Sequence, residues 1–302
     1  MKSEKLTLIV RWNGRCQAFN HSLFTIHFLL FCCVFALIPA AVHAQTIAIL
    51  TPDNTETSKI FAKSIQQSLG KTLKVIDLEL GESAYSSTNI KTPFNLTTEE
   101  GKHLGTVIGC DFFVLIRSAT QRRSAYQRTE YYESYAAVYV VSTRSGRLQW
   151  NLEQFEAARP EQAAKLMNES VNSVADAIIR RVRIALRTEI AEKSVLEIES
   201  VPEENSPLAK NFRAPVPYRR IKPEYTTQAA LYDVAATVDM EVDTDERGTI
   251  LRTEIVRWAG FGLDESVEKA VRSMTWRPAE RNGKPLPMRF LVRYNFKKIE
   301  KE

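Results

Sequence analysis

Past position 44, Cys110 and His103 are the residues whose types could support thiol or metal chemistry. One His with one Cys makes no zinc cluster, because such sites gather several Cys and His ligands at short spacings. Nor does either find the base and orienting group that an activated nucleophile requires. Cys110 reads instead as a buried residue at a strand start. Asp264 and Glu265 are adjacent, which is not the spacing of a catalytic carboxylate pair, and Asp264 reads as a helix cap. No phosphate loop has supporting spacing, so no catalytic residue, metal or cofactor is expected. In Met288–Phe296 the apolar Phe290, Val292, Tyr294 and Phe296 alternate with Arg289, Leu291, Arg293 and Asn295. One buried face fixes the register of such a strand and leaves backbone donors and acceptors along its edge.

The elements that position this strand are legible around it. Val234, Ala236, Val238, Met240 and Val242 alternate with polar residues, so 232–243 reads as a strand with one wet face. Asp243 to Gly248 turns the chain, and 249–258 returns. Leu263, Val267, Ala270, Val271 and Met274 then line one face of a helix. Pro278 cannot continue it, which frees Trp276 to enter the core, and Asn282-Gly283 supplies a tight turn into the last strand. The expected unit is β-β-α-β, one helix folded across a three-stranded sheet.

Upstream, residues 45–193 alternate strands and helices. TIAIL, LKVIDL and DFFVLIRSAT read as strands, the last so apolar that it is central. A helix near 60–69 ends at Gly70, and a second is capped by Thr97 or Thr98 with Glu100 nearby. Two further strands flank Arg144-Ser145-Gly146 as a hairpin, and a long amphipathic helix from Ala164 to Leu186 closes the unit. The mix of Arg122, Arg123 and Arg128 with Tyr126, Tyr131 and Tyr132 reads either as an exposed hairpin arm or as a partner-binding loop. Residues 194–217 hold four prolines and few large apolar side chains, and read as a linker. The fold class is therefore α+β: an α/β domain with a mixed sheet and flanking helices, then a β-β-α-β domain over 218–302.

The first 44 residues are of another kind. Lys2, Lys5, Arg11 and Arg15 precede an apolar run from Leu23 to Ala44 that ends in Val42-His43-Ala44. That is the make-up of an export signal cleaved before Gln45. The run is also close to the ~20 residues of a bilayer-spanning helix, so a retained anchor is the competing reading. Three of the four cysteines lie here, which leaves an exported chain with no internal disulfide. The net charge of +5 is too diffuse for a nucleic-acid footprint.

Two resemblances follow from these residues. His103-Leu104-Gly105, Ile108-Gly109, Asp111, the apolar strand after it and the VYVVSTRSGRLQW hairpin are similar to the periplasmic α/β domain of CsgG, LpoB and the N-terminal region of TolB. In those proteins the domain binds envelope proteins and is not catalytic. Residues 218–296 resemble the C-terminal domain of TonB-family energy transducers. The likeness is carried by Pro223-Glu224-Tyr225, Val242-Asp243 with Gly248, Leu263-Asp264, Ala270-Val271, Trp276-Arg277-Pro278-Ala279 and Asn282-Gly283-Lys284-Pro285. Thr226 stands where that family usually has Pro, and a folded domain stands where it has a Pro/Lys-rich spacer. The TonB resemblance implies a periplasmic protein that grips an extended segment of an outer-membrane receptor by strand addition. The implied partner-binding residues are Glu224 and Tyr225 at the entrance, with Arg289, Leu291, Arg293 and Asn295 on the last strand. A retained anchor would add inner-membrane motor proteins as partners. The alternative is a non-catalytic periplasmic scaffold that acts mainly through its α/β domain.

Overall fold

The computed structural model describes residues 45–126, 128–191 and 197–297. The leader or anchor expected over residues 1–44 lies outside them, and so does any test of its cleavage. Among the described residues no helix is long and apolar enough to cross a membrane.

The chain opens with β1 (Thr46–Leu50), α1 (Glu56–Leu69) and the two-residue β2 (Lys74–Val75). LKVIDL is thus mostly not strand. Asp77 stops it, accepting from the N–H groups of Glu79 (3.0 Å) and Leu80 (3.2 Å), and so starts α2 (Leu78–Ser86) where the sequence read as a polar loop. Helix α3 (Thr98–Ile108) begins with the reciprocal cap of Thr97 and Glu100 and leaves through Gly109 at φ 77°. Next come β3 (Phe112–Ala125), β4 (Arg128–Ser142) and β5 (Leu148–Ala157). The closing helix is two helices, α4 (Pro160–Glu169) and α5 (Val171–Ala191), parted at Ser170. The five strands form one mixed sheet in the order β2-β1-β3-β4-β5, with β1 parallel to β2 and β3 and the later pairs antiparallel.

The strands are apolar on both faces, and each face finds a different cover. Ile47, Ile49, Phe112, Val114, Val138 and Val140 pack against Phe61 and Ile65 of α1 and Val174, Ile178 and Val182 of α5. On the other face, Leu50, Phe113, Leu115, Tyr135, Tyr139 and Val141 meet Leu96 and Leu104, and then residues far down the chain: Trp258, Phe261, Leu263 and Val267.

Those residues belong to the C-terminal elements: α6 (Thr227–Leu231), β8 (Ala236–Thr244), β9 (Ile250–Arg257), α7 (Leu263–Arg272) and β13 (Met288–Phe296). The sheet order is β13-β8-β9, all antiparallel, with the core faces of α7 and Trp276 beneath it. This is the expected β-β-α-β unit, and Asn282-Gly283, both at positive φ, make its tight turn.

The stretch read as a linker is drawn into this framework. Its short strands β6 (Phe212–Arg213) and β7 (Val216–Pro217) pair with β11 (Ala279–Arg281) and β10 (Trp276–Arg277), and β12 (Lys284–Leu286) completes the small ribbon. Few large side chains are needed for this, because the pairing is made by backbone groups. Everything from Ala44 onward clusters as one unit.

The seam between the halves is built like a domain interior. Trp258 is 1% exposed and donates its indole N–H to the Gly146 carbonyl at 3.2 Å. Phe261 lies 4.7 Å from Trp150, and Tyr232 lies 4.4 Å from Tyr135, ring centre to ring centre. Such aromatic pairs add about 0.5–1.5 kcal/mol each beyond the area they bury. Asn95 donates to the carbonyls of Thr237 (2.8 Å) and Trp258 (2.7 Å) and accepts from the Thr237 N–H (3.0 Å). Gly260, at φ 72°, lets the loop lie flat here: a Cβ there would press on Tyr139 and Trp150 at 3.3–3.4 Å.

Candidate functional site

The last strand has two sides, and they are unequally occupied. Its inner side pairs with β8 from Met288↔Thr244 to Phe296↔Ala236. On its outer side Arg289 alone is bonded among the described residues. The Arg289 N–H donates to the Glu199 carbonyl at 2.8 Å, and its carbonyl accepts the Val201 N–H at 2.9 Å, a parallel bridge opposite Ser200. Alternate residues of a strand turn their backbone groups to the same side. Leu291, Arg293 and Asn295 therefore carry the remaining outward N–H and C=O groups, and Leu291 is 52% exposed. Glu199 is fixed in turn by a two-pronged ion pair with Arg281, at 2.5 and 3.0 Å.

Side chains of these four residues share the face opposite the core, and there they meet carboxylates of β8. Arg289 grips Asp243 at 2.6 and 2.7 Å, and Arg293 grips Asp239 at 2.6 and 2.9 Å, each pair directly cross-strand. Asp243 and Asp239 are 1% and 3% exposed, so these are buried carboxylates satisfied by charge-assisted, two-pronged bonds. Both guanidinium groups are held above their ordinary range, first by the hydrogen bonds to these carboxylates. Arg257 also reaches Asp239, at 3.3 Å. Asn295 accepts from the Thr237 hydroxyl at 2.8 Å. The result is a polar ladder that stiffens the strand from its outer face, while among the described residues no strand pairs with its edge along Leu291–Asn295.

Of the six residues expected at the site, the structure brings together Arg289, Leu291, Arg293 and Asn295. It sets the other two apart. Tyr225 stacks on Phe296 (6.2 Å, 24°) on the core side, and its hydroxyl donates to the carbonyls of Val234 (2.9 Å) and Ala229 (3.2 Å). It is a post under the end of β13. Glu224 is exposed, with its carbonyl accepting from Ser266 of α7 at 2.8 Å. Sequence reasoning missed Asp239, Asp243 and the Glu199–Val201 segment. The first two had a signal: acids at 239, 241 and 243 on one strand, facing arginines four residues apart, at 289 and 293, on its partner.

Asp264 is not the cap of α7. That place is taken by Gly262 at φ 74°, with no side-chain cap bond. Asp264 reaches back instead and accepts the N–H groups of Ala259 (2.9 Å) and Gly260 (2.8 Å), the loop that docks on the first domain. Burial raises its carboxyl to about 7, against the pull of those two N–H donors. Cys110 is buried, its thiol pushed up to about 11 by burial, while His103 sits exposed on α3. The two do not form a reactive pair.

Residues 221–297 match the family described as Gram-negative bacterial TonB protein C-terminal. Among solved structures, the solution structure of the Pseudomonas aeruginosa TonB C-terminal domain is 19% identical, over 35% of this chain and 99% of that one, with a TM-score of 0.26. Lipoprotein GNA1162 from Neisseria meningitidis is 13% identical over 44% of this chain and 99% of its own (TM-score 0.30). A PelC dodecamer from Paraburkholderia phytofirmans is 9% identical over 46% and 91% (TM-score 0.25). No curated protein gives a significant match.

Proposed function

Taking residues 221–297 as a TonB-family C-terminal domain, we propose that this protein is a cell-envelope binding protein whose last strand accepts an extended segment of an outer-membrane receptor. The segment would add to β13 along Leu291–Asn295, in the service of energy transduction or transport across the outer membrane. The observation that carries this reading is the outer side of β13. Its inner face is pinned by core residues and its outer face by ion pairs, yet the backbone groups of Leu291, Arg293 and Asn295 have no strand beside them among the described residues. A rigid strand with free main-chain groups loses little entropy on gaining a neighbour. The role is one of binding, in the periplasm, with no nucleic acid involved.

A second reading is favoured by the aromatic seam. Because Trp258 and Phe261 are buried against the α/β sheet, that domain holds the edge at a fixed attitude. The protein then works as a scaffold whose α/β half sets where the edge points. The test for both is amide exchange and NMR shift mapping on the full chain with short receptor N-terminal segments. Cutting out residues 210–302 alone would strip the cover from Trp258. Protection of the Leu291, Arg293 and Asn295 amides supports strand addition. Shifts confined to the α7 face around Glu265 and Glu268, or to the α/β half, would sink it.

A further inference from the structure

A cavity of about 460 Å³ lies across the seam, and its chemistry is not that of the strand edge. Its floor is the α/β sheet, where Arg117 and Gln121 of β3 and Tyr139 of β4 face the second domain. Its walls are the Thr92–Asn95 loop, with Phe94, and the Leu231–Ala236 segment, with Tyr232; Phe261 closes one side. Sites for small ligands are commonly found at such domain boundaries, apolar walls around a few convergent polar groups.

The polar groups here are idle. Among the described residues no hydrogen bond or ion pair engages the side chains of Arg117 or Gln121, nor the hydroxyl of Tyr139. Tyr139 is 2% exposed as a residue, and its hydroxyl is not among the buried polar atoms that lack a partner, so it is the part that opens on the cavity. Burial holds its proton on, which makes it a donor, and the Arg117 charge acts on it from nearby. Around these donors stand rings already in mutual contact: Phe94 at 5.2 Å and Phe261 at 6.4 Å from Tyr139, and Tyr232 at 5.6 Å from Phe261. Asp233, at φ 50°, lies on the exposed rim of the cavity, and Arg117 is exposed as well.

We propose that this cavity binds a carboxylate attached to an aromatic or branched apolar group. The carboxylate would take the Arg117 guanidinium and the Tyr139 hydroxyl, with Gln121 beside them, and the apolar body would lie among Phe94, Tyr232 and Phe261. A free small acid and the C-terminal carboxylate of a peptide share this chemistry. Because floor and walls come from different halves of the chain, an occupant would also fasten them together.

The test titrates the full chain by calorimetry with 3-phenylpropionate, and separately with an N-acetylated tripeptide ending in Phe, each beside its carboxamide. Saturable binding of either acid, at least tenfold weaker for its amide, is expected, with a rise in melting temperature on binding. Arg117→Gln should weaken it more than tenfold, and Tyr139→Phe, which keeps the ring, about threefold or more. Binding of the tripeptide acid alone would make the ligand a peptide terminus; binding of phenylpropionate would make it a small acid. The proposal is overturned if neither acid binds, if acid and amide bind alike, or if a folded Arg117→Gln variant binds as well as the parent.

Discussion

Ser200 sits opposite Arg289 in a parallel β-bridge, so the chain's own upstream segment covers the first part of the edge offered by its last strand. An incoming segment that needs the whole of β13 must displace residues 199–201, and one that needs only Leu291–Asn295 can settle beside them. Val201→Pro removes the N–H that Arg289 accepts, and should uncover the edge. Receptor-segment affinity, read by calorimetry, should rise several-fold. An unchanged or weaker affinity would mean that the bridge guides the partner rather than competing with it.

The direction in which each N–H points decides which proline is informative. Val292 donates inward to β8, so Val292→Pro breaks the sheet itself. Leu291 is exposed and its N–H points outward. Leu291→Pro should leave the melting temperature within a few degrees and weaken segment binding at least tenfold, whereas Leu291→Ala should do neither. Binding that survives Leu291→Pro would place the contact elsewhere.

Two arginines on one face should differ in what they hold up. Arg289→Ala leaves Asp243 buried with no cation, at a cost of about 3–5 kcal/mol. Arg293→Ala leaves Asp239 still in reach of Arg257, so the loss should be smaller, about 1–2 kcal/mol. Urea denaturation of the two variants measures the difference, and equal losses would contradict the assigned pairs.

Asp264 should make stability depend on pH in an unusual direction. Its carboxyl is raised in the fold to about 7 from an ordinary 3.8, so the native state holds a proton that the unfolded chain releases. Its contribution is full below about pH 4 and is lost as the pH rises through 7, a span on the order of 4 kcal/mol. The denaturant midpoint of the parent should fall between pH 5 and 8 relative to Asp264→Asn, which cannot titrate. Parallel curves for the two proteins would remove Asp264 as the cause.

The seam should make the two halves melt together. Trp258→Ala empties a fully buried site shared by both, at about 3–5 kcal/mol. Calorimetry of the parent should show one transition whose calorimetric and van't Hoff enthalpies agree. Two separated transitions would mean that the seam adds little.

Side-chain pattern carried most of the C-terminal reading. The alternation in Met288–Phe296, the burial of Trp276 and the Asn282-Gly283 turn all follow from residue type and period, and the structure has each of them. The outward set of Arg289, Leu291, Arg293 and Asn295 was legible for the same reason. Features that depend on backbone alone left no such mark. The bridge of Glu199–Val201 to Arg289 and the short pairings of Phe212–Arg213 and Val216–Pro217 use main-chain groups that any residue supplies. Asp264 was misread because acids near a helix start usually cap it, and here the left-handed Gly262 occupies that position. The docking of Trp258 and Phe261 was equally silent, since a Trp and a Phe among glycines specify that they need cover but not whose.

The two edges of the small sheet face different neighbours: among the described residues β13 has no strand beside Leu291–Asn295, while the end of β9 and the start of β8 are tied to Asn95. A strand seated on β13 and drawn along its own length pulls across the ladder bonds, which run perpendicular to it, and so loads them side by side in shear. Tension entering at the open edge crosses β8 and β9 and leaves through Asn95 and the Trp258 indole into the α/β sheet. Under the proposed strand addition, the α/β half would serve as the anchorage of the small sheet. The Ser200 bridge, a pair of bonds outside that path, is the part a pulled strand would peel away first.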